Sequence, residues 1–290
     1  MKKLTDIFAR KERTFSFELF PAKTEKGHQN LLATIAELVT LNPDYISCTY
    51  GAGGGSRERT FDTVQHIQDT YHLPGVAHLT CVCHTRDEIK AILDHIRQKG
   101  ICNVLALRGD PPKDNPDWRP GPDNFQYSSE LCAFIRRHHG DFFAIGVAGF
   151  PEGHILCPDR DKDARYLKIK IDNGADFVAT QLFFNNQDYF DYVQRLRDMG
   201  VKARVIPGIL PVTNYDNLIR FCQNCGTTVP QEVHDIFLPI KDDPDRCLEE
   251  GINFAVKQCR DLLDRGAPGL HFYALNKLHP VDTILNAVRG

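Results

Sequence analysis

The stretch Asn103-Val-Leu-Ala-Leu-Arg-Gly-Asp110 joins a short apolar run to a polar turn that contains glycine. The run Asn103–Leu107 has the length and composition of a buried strand, and Arg108, Gly109 and Asp110 follow at its C-terminal end. Seven other short apolar runs carry a polar residue or pass into such a turn: Thr14–Leu19, Tyr45–Thr49, Val76–Thr80, Ala144–Val147, Phe177–Gln181, Arg204–Gly208 and Leu270–Leu275. Because a (β/α)₈ barrel gathers its working residues at the C-terminal ends of its strands, this pattern predicts both a fold and a site.

The segments between these runs have helical spacing. Gln29–Leu41, for example, places Leu31, Ile35 and Leu38 on one face of a helix. Similar patterns predict helices over Arg57–Tyr71, Arg86–Gly100, Ser128–His139, Asp161–Asn173, Gln187–Met199 and Asn214–Cys225. Two more, Gln231–Leu238 and Pro244–Asp264, fall between the last two strands. We therefore predict an α/β fold, a (β/α)₈ TIM barrel with extra helices between strands seven and eight, and a single domain over residues 1–290.

A doubly wound sheet is the rival fold, and the glycine-rich stretch Gly51-Ala-Gly-Gly-Gly-Ser56 is its best support. This stretch approaches the dinucleotide fingerprint G-x-G-x-x-G, but Ser56 occupies the third glycine position and the loop follows the second strand rather than the first. The loop fits equally well a flexible segment whose backbone approaches a ligand. The number of strands and the spread of their polar ends favour the barrel.

Composition and charge exclude several classes of protein. The 290 residues are 42% hydrophobic and 25% charged, with a formal net charge of -3, so the chain has no electrostatic footprint for nucleic acid. No apolar run approaches the ~20 residues that span a bilayer. The segment Met1–Asp6 lacks the apolar core of a signal peptide, and we expect a cytoplasmic location without membrane partners.

The ten cysteines lie mostly inside apolar stretches. Without an export signal, free thiols are expected rather than disulfides. Cys222 and Cys225 have the spacing of a zinc or redox pair, but no second pair follows at finger spacing. A helix that ends before Gly226 explains the same pair of cysteines equally. No H-x-x-x-H pair or other ligand spacing occurs, so we expect no metal site.

Two carboxylates are candidates for chemistry. Glu18 lies in Phe15-Ser-Phe-Glu-Leu-Phe-Pro21, where burial among phenylalanines would favour the protonated form and suit a general acid. A strand-end Glu paired with a lysine or arginine fits the same position. Asp110 is placed to hold a polar heterocycle or to stabilise a developing cation, and a local ion pair with Arg108 is the alternative.

Other polar residues allow two interpretations each. A lone His78 within a strand is more often a hydrogen-bonded core residue than a catalyst. Asp163, Tyr166 and Lys170 share one helical face, which fits either a ribose and phosphate site or a solvated helix. Phe221 shares a face with Asn217, where an aromatic ring would stack on a planar ligand or pack in the core.

Taken together, the strand ends resemble the catalytic domain of methylenetetrahydrofolate reductase of the bacterial type. The resemblance runs from Phe15 to about Lys277. Eight phrases carry it in order: Phe-Glu-Leu-Phe-Pro at 17–21, Thr-Tyr-Gly-Ala at 49–52, His-Leu-Thr-Cys at 78–81, Ala-Leu-Arg-Gly-Asp at 106–110, Phe-Pro-Glu-Gly-His at 150–154, Ala-Thr-Gln-Leu-Phe-Phe at 179–184, Pro-Gly-Ile-Leu-Pro at 207–211 and His-Phe-Tyr-Ala-Leu-Asn at 271–276.

The resemblance implies an FAD-binding barrel without a Rossmann fingerprint, in which the glycine-rich loop contacts flavin instead of nicotinamide. The flavin-contacting positions that it implies are Thr49, Tyr50, Ala52, His78, Arg108, Gly109, Asp110, Tyr127, Ser128, Phe150, His154, Asp163, Tyr166 and Lys170. It also implies that Gln181, Asn217, Phe221, Tyr273 and Lys277 shape a pocket shared by folate and nicotinamide.

The chemistry implied by the resemblance is reduction of 5,10-methylenetetrahydrofolate in a ping-pong sequence. Glu18 would protonate folate nitrogen 10 and open the five-membered ring, Asp110 would favour the resulting iminium cation, and reduced flavin would deliver the hydride. No basic cluster dedicated to a 2′-phosphate is evident, so NADH is expected, with NADPH as the alternative. Relatives often assemble, and a homo-oligomer is expected.

Some positions depart from the family pattern. Relatives have Tyr where Phe150 stands and Arg where Lys277 stands, and a flavin-contacting Arg near Lys170 is replaced by Ile169. Two alternatives stay open: another barrel flavoenzyme similar to proline dehydrogenase, and a non-catalytic folate- or flavin-binding subunit.

Overall fold

In the computed structural model, which describes residues 2–50, 57–112 and 115–289, eight parallel strands close into a barrel. They pair in chain order, and the first strand also pairs with the last. The strands are β1 (Thr14–Leu19), β2 (Tyr45–Cys48), β3 (Gly75–Thr80), β4 (Asn103–Leu107), β5 (Ala144–Gly149), β6 (Phe177–Leu182), β7 (Arg204–Ile209) and β8 (Gly269–Tyr273). The predicted (β/α)₈ TIM barrel is therefore confirmed.

Helices follow the strands and cover the barrel wall. The described helices are α1 (Leu4–Arg10), α2 (Glu25–Val39), α3 (Arg57–Tyr71), α4 (Arg86–Gln98), α5 (Ser128–His139), α6 (Arg160–Asp172), α7 (Asn186–Asp198), α8 (Tyr215–Cys225), α9 (Gln231–Phe237), α10 (Pro244–Asp264) and α11 (Val281–Arg289), with a 3₁₀ turn at Leu238–Ile240. The main core lies between the wall and these helices.

The extra helices predicted between β7 and β8 are confirmed, but the helices in this region pack in two different places. α10 packs against both α7 and α11, so it completes the outer ring. α8 and α9 instead share a smaller apolar core with the ends of β6 and β7. The insertion that changes the barrel mouth is therefore α8 with α9.

Helix ends follow local capping chemistry. α4 begins with a complete capping box, in which Thr85 and Glu88 satisfy each other's backbone N–H groups. α2 begins at Glu25, four residues before the predicted start, because the Thr24 hydroxyl accepts from the Gly27 N–H. α8 ends at Gly226, whose φ of 73° is the left-handed cap expected after Cys225.

Two terminal helices were not predicted. α1 closes the N-terminal end of the barrel: Leu4 is fully buried, its N–H donates to the Asn103 side chain over 2.8 Å, and Phe8 packs edge-on against Phe177. α11 packs beside α10. The last strand, β8, ends at Tyr273 rather than at the predicted Leu275, because Leu275 and Asn276 adopt positive φ.

Nine of the ten cysteines, all but Cys83, are described as free thiols, as expected. None of the described helices is long and apolar enough to cross a membrane. The glycine-rich stretch 51–56, with Ala52, lies outside the described residues.

Candidate functional site

Glu18 sits near the C-terminal end of β1 with its carboxylate inside the barrel, and the residue is only 8% exposed. Two buried imidazoles face the same carboxylate oxygen. His78 of β3 brings Nε2 to 3.3 Å of Glu18 Oε2, and His271 of β8 brings Nε2 to 3.4 Å. Because the three strands meet only in the closed barrel, the fold creates this cluster.

The expectation that the phenylalanines hold Glu18 in its protonated form is wrong. Burial does raise the pKa, as expected for a desolvated carboxylate, but attraction to His78 and the hydrogen bond to His271 outweigh it and lower the pKa from 4.5 to about 2. The Glu18 carboxylate is therefore ionised at neutral pH, with both imidazoles facing it. The proposed lysine or arginine partner is absent among the described residues; histidines occupy that place.

His271 is a site residue that the sequence reasoning missed. Its Nδ1 lies 2.7 Å from the Ser16 hydroxyl while its Nε2 faces Glu18, and its ring stacks on Tyr45 at 5.9 Å between centroids. Ser16 and Glu18 are two apart on one strand and so point to the same side. The sequence signal that could have found His271 is the alternation of polar and apolar residues along β1 and β8.

The turn after β4 holds Arg108, Gly109 and Asp110. Gly109 has φ of 80°, and a Cβ there would lie 2.6 Å from Val82 and 2.9 Å from Thr80, so glycine is required for this close approach. Arg108 Nε donates to the Gly109 carbonyl over 3.3 Å. No ion pair between Arg108 and Asp110 is found within the described residues, and Asp110 is exposed at the mouth.

The end of β2 carries Thr49 and Tyr50. The Tyr50 hydroxyl lies 3.1 Å from His84 Nε2, and the Thr49 N–H donates to the Leu19 carbonyl over 2.8 Å. These contacts tie Thr49 to the end of β1 and Tyr50 to the segment that follows β3. Both residues are half-buried, as flavin contacts at a barrel mouth would be.

A second group of charges surrounds the end of β5. Phe150 and His154 meet edge-to-face at 4.7 Å, and Lys170 Nζ donates to the Ala148 carbonyl over 3.0 Å. Burial lowers the pKa of Lys170. Burial also lowers the pKa of His154, and the charges of Arg108 and Lys170 lower it further, whereas Asp110 opposes them.

The face of α6 is divided. Asp163 is buried, and burial raises its pKa from 3.8 to about 6. Tyr166 is instead 47% exposed. Of the three residues predicted to share this face, Asp163 and Lys170 therefore face inward and Tyr166 does not. The alternative of an entirely solvated helix is excluded for that side of α6. Farther round the mouth, α5 begins as predicted at Ser128, which is buried, while Tyr127 before it is exposed.

The opposite side of the mouth carries the expected substrate residues. Gln181 and Tyr273 are half-buried on β6 and β8, and Lys277 is exposed beyond β8. On α8, Phe221 is 38% exposed, whereas Leu218 and Cys222 are buried. Of the two alternatives for Phe221, a core contact is therefore excluded, and the stacking role stays a prediction. Asn217 is exposed one turn away, and the Arg220 side chain donates to it.

Cys222 and Cys225 have no metal-site geometry. Cys222 is buried, the Cys225 thiol donates to the Phe221 carbonyl, and burial raises the pKa of Cys225. The described ranges contain no group of three or more His, Cys, Asp or Glu arranged to hold a metal ion.

Together the barrel and the acidic, imidazole and cationic groups at one mouth define a barrel protein equipped for acid–base chemistry. The family model for methylenetetrahydrofolate reductase matches residues 3–289. A relative from Schizosaccharomyces pombe, methylenetetrahydrofolate reductase 1, is 40% identical over 94% of this chain and 45% of its own length. A relative from Arabidopsis thaliana, methylenetetrahydrofolate reductase (NADH) 1, is 36% identical over 94% of this chain and 48% of its own. The chain belongs to the methylenetetrahydrofolate reductase family, and spans about half the length of these two relatives.

A solved structure supports the fold alone. A Clostridium thermocellum protein described as binding two copies of 5-methyl-5,6,7,8-tetrahydrofolic acid covers 99% of this chain and 98% of its own, with a TM-score of 0.66 and 13% identity. At this identity the likeness extends to the barrel and not to individual side chains.

Proposed function

We propose that this chain catalyses the flavin-dependent reduction of 5,10-methylenetetrahydrofolate to 5-methyltetrahydrofolate. Family membership supports the reaction, and the observation that carries it to this chain is Glu18 with His78 and His271 inside the barrel mouth. The reductant is a nicotinamide nucleotide, NADH in preference to NADPH, used in a ping-pong sequence. The Arabidopsis relative is named for NADH.

The proton for folate nitrogen 10 comes from the Glu18 cluster. A carboxylate held ionised by two imidazoles is a poor acid by itself, but the cluster takes up and releases protons as a unit. A tertiary amine brought beside Glu18 competes with the imidazoles for the shared proton. When the amine takes the proton, the five-membered ring opens and the cation forms beside the carboxylate.

Asp110 supports the same step from the other side of the mouth. Because it is exposed and has no ion pair with Arg108 among the described residues, its carboxylate is available to a ligand. A carboxylate there binds the donor groups of a pterin ring and stabilises the developing cation.

The residues at the ends of β4 and β5 suit FAD. Arg108 and Lys170 bring positive charge to the region around His154, which suits a diphosphate, and buried Asp163 offers a carboxyl group to ribose hydroxyls. Gly109 lets the backbone approach a planar ring. Bound FAD supplies the hydride transfer that side chains cannot perform.

We further propose that residues 1–290 act as one catalytic domain within a homo-oligomer. The nine free cysteines other than Cys83 fit a reducing compartment such as the cytoplasm.

The test is a rapid-mixing experiment with FAD-loaded protein whose flavin has been reduced without oxygen. Methylenetetrahydrofolate should reoxidise the flavin and restore its visible absorbance. A flavin that stays reduced would refute the proposed reaction. Reduction of oxidised flavin by proline would instead favour the proline-dehydrogenase-like alternative, and a purified protein that takes up no FAD would favour a non-catalytic subunit.

A further inference from the structure

The register between β6 and β7 breaks at the mouth of the barrel. Ala179 pairs with Ile206, but the next pair is Leu182 with Gly208. Thr180 and Gln181 therefore face the single residue Pro207, which is the arrangement of a β-bulge. Bulges bend a strand and redirect a side chain, and this one occurs where Gln181 was expected to contact substrate.

Two neighbouring strands hold the bulge in place. The Tyr273 hydroxyl, from β8, donates to the Thr180 carbonyl over 2.6 Å. The Gly208 N–H, from β7, donates to the Thr180 hydroxyl over 2.9 Å. The carbonyl and the hydroxyl of Thr180 are thus fixed by groups outside its own strand.

The side chain of Tyr273 passes over Gly208 to reach Thr180. A Cβ on Gly208 would lie 2.3 Å from the Thr180 carbonyl oxygen and 2.7 Å from the Tyr273 hydroxyl, closer than any real contact. Glycine is therefore needed for the tyrosine to span β7. Thr180, Gly208 and Tyr273 therefore pack as one unit across β6, β7 and β8.

The bulge also decides which end of the Gln181 amide faces a ligand. Gln181 Oε1 accepts from the Leu182 N–H over 2.9 Å, and because an N–H only donates, this fixes the oxygen. The Gln181 Nε2 has no hydrogen-bond partner within the described part of the chain. Gln181 therefore offers a donor, which suits a carbonyl or ring-nitrogen acceptor on a ligand.

We propose that Tyr273 is a positioning residue that holds the Thr180 bulge and thereby aims the Gln181 amide donor at the folate. The inference rests on the proposed function. The proposal is based on the hydrogen bond that the Tyr273 hydroxyl donates to the Thr180 carbonyl, which leaves the hydroxyl no second proton to donate to a ligand. Burial raises the pKa of Tyr273 well above its usual value, which further disfavours a role as proton donor.

The test is a double-mutant cycle with Tyr273→Phe, Gln181→Ala and the double variant. The readouts are the dissociation constant of 5-methyltetrahydrofolate, by calorimetry, and the KM and kcat for methylenetetrahydrofolate. Losing one hydrogen bond should weaken binding roughly fivefold in Tyr273→Phe. Because Tyr273 acts through Gln181, the double variant should bind no more weakly than Gln181→Ala.

Two further variants sharpen the test. Tyr189→Phe is the matched control, since the buried Tyr189 hydroxyl also donates to a strand carbonyl, that of Val205, over 2.9 Å, but lies outside the mouth. It should lower the melting temperature and leave folate binding unchanged. Gln181→Glu keeps an acceptor for the Leu182 N–H but loses the donor, so it should bind folate as weakly as Gln181→Ala.

Two outcomes would overturn the positioning role. In one, the losses in the two single variants multiply in the double variant, which would mean that Tyr273 contacts folate independently. In the other, Tyr189→Phe weakens binding as much as Tyr273→Phe, which would indicate a general loss of stability. An unaltered protein that binds no folate would instead refute the proposed function itself.

Discussion

The acid site depends on three side chains rather than one. His78 and His271 both approach Glu18 Oε2, so the proton held there belongs to the group as a whole. The two imidazoles outweigh the effect of burial and hold the pKa of Glu18 at about 2, so the carboxylate is charged at neutral pH. The sequence showed the phenylalanines beside Glu18 but not the imidazoles, since these come from distant strands.

Glu18→Gln tests the acid role, because it keeps the shape and removes the charge and the proton. Reduction of bound flavin by NADH should continue, whereas reoxidation by methylenetetrahydrofolate should slow by at least ~10²-fold, the usual scale for general acid catalysis. Rapid-mixing absorbance separates the two half-reactions. Asp94→Asn is the control, since Asp94 also faces an imidazole, that of His139 at 3.8 Å, but lies on the outer helix α4. Equal damage to both half-reactions would contradict the assigned role.

Lys170→Ala tests the cationic group around β5. Removing a buried ammonium from a diphosphate site should raise the FAD dissociation constant by roughly tenfold or more, the scale of a charged hydrogen bond. Flavin fluorescence on dilution measures this affinity. Lys168→Ala, which removes a surface lysine paired with Asp172 on the same helix, should leave it unchanged. If both variants retain FAD equally, Lys170 does not hold the cofactor.

At the scale of elements, the sequence predicted all eight strands and most of the helices that surround them. Periodicity and capping signals were sufficient for α3, α5 and α10, whose observed bounds equal the predicted ones. The short helices α1 and α11 were missed because each is packed by partners distant in sequence. The bulge at Thr180 could not be predicted either. It is defined by the register of β6 against β7, and the sequence of β6 alone does not encode that register.

The exposure of Phe221 on α8 allows a decisive test of its role. If nicotinamide and folate take turns at one place, Phe221→Ala should weaken both by stacking and apolar contact of order ~1 kcal/mol each, whereas Phe221→Leu should weaken them less. The melting temperature should change little, because the ring is 38% exposed. Leu218→Ala, on the buried face of the same helix, should instead lower the melting temperature. Normal Michaelis constants in Phe221→Ala would remove Phe221 from the site.

At the scale of the molecule, barrel closure is what assembles the site. Glu18 lies on the first strand and its partner His271 on the last, and these strands pair from Thr14 to Glu18. The sequence could place each residue at a strand end but not determine which residues face each other across the interior. Loss of closure should therefore abolish the acid cluster before it disturbs any single helix.

Buried histidines make the stability of the whole barrel depend on pH. His139, in the last turn of α5, is 7% exposed, and neither ring nitrogen has a hydrogen-bond partner. Phe143 packs on the ring, Asp94 faces it, and Lys90, Arg97 and His138 add positive charge nearby. Burial lowers the pKa of His139 below 6.5, and the nearby cations lower it further, although Asp94 opposes them.

The sign of the effect follows from proton uptake. Below pH 6.5 an unfolded chain protonates this histidine while the folded chain keeps it neutral, so the unfolded state binds more protons. The contribution of His139 is therefore complete above pH 6.5 and is lost as the pH falls toward the folded pKa. Asp163 acts in the opposite direction, since its pKa is raised to about 6, and it adds stability as the pH falls from about 6 to 3.8.

His139→Gln isolates the histidine from this opposing group, because Asp163 is the same in both proteins. Melting temperatures measured from pH 7.5 to 5.5, with FAD in excess, should fall less steeply in the variant, by an amount equivalent to at most ~1 proton. His138→Gln, which replaces the exposed neighbour and removes only the smallest of the contributions to the His139 shift, should stay closer to the unaltered protein than His139→Gln does. Parallel curves for all three proteins would show that His139 is protonated equally in the folded and unfolded chains, and the acid sensitivity of the barrel would then have to arise from other groups.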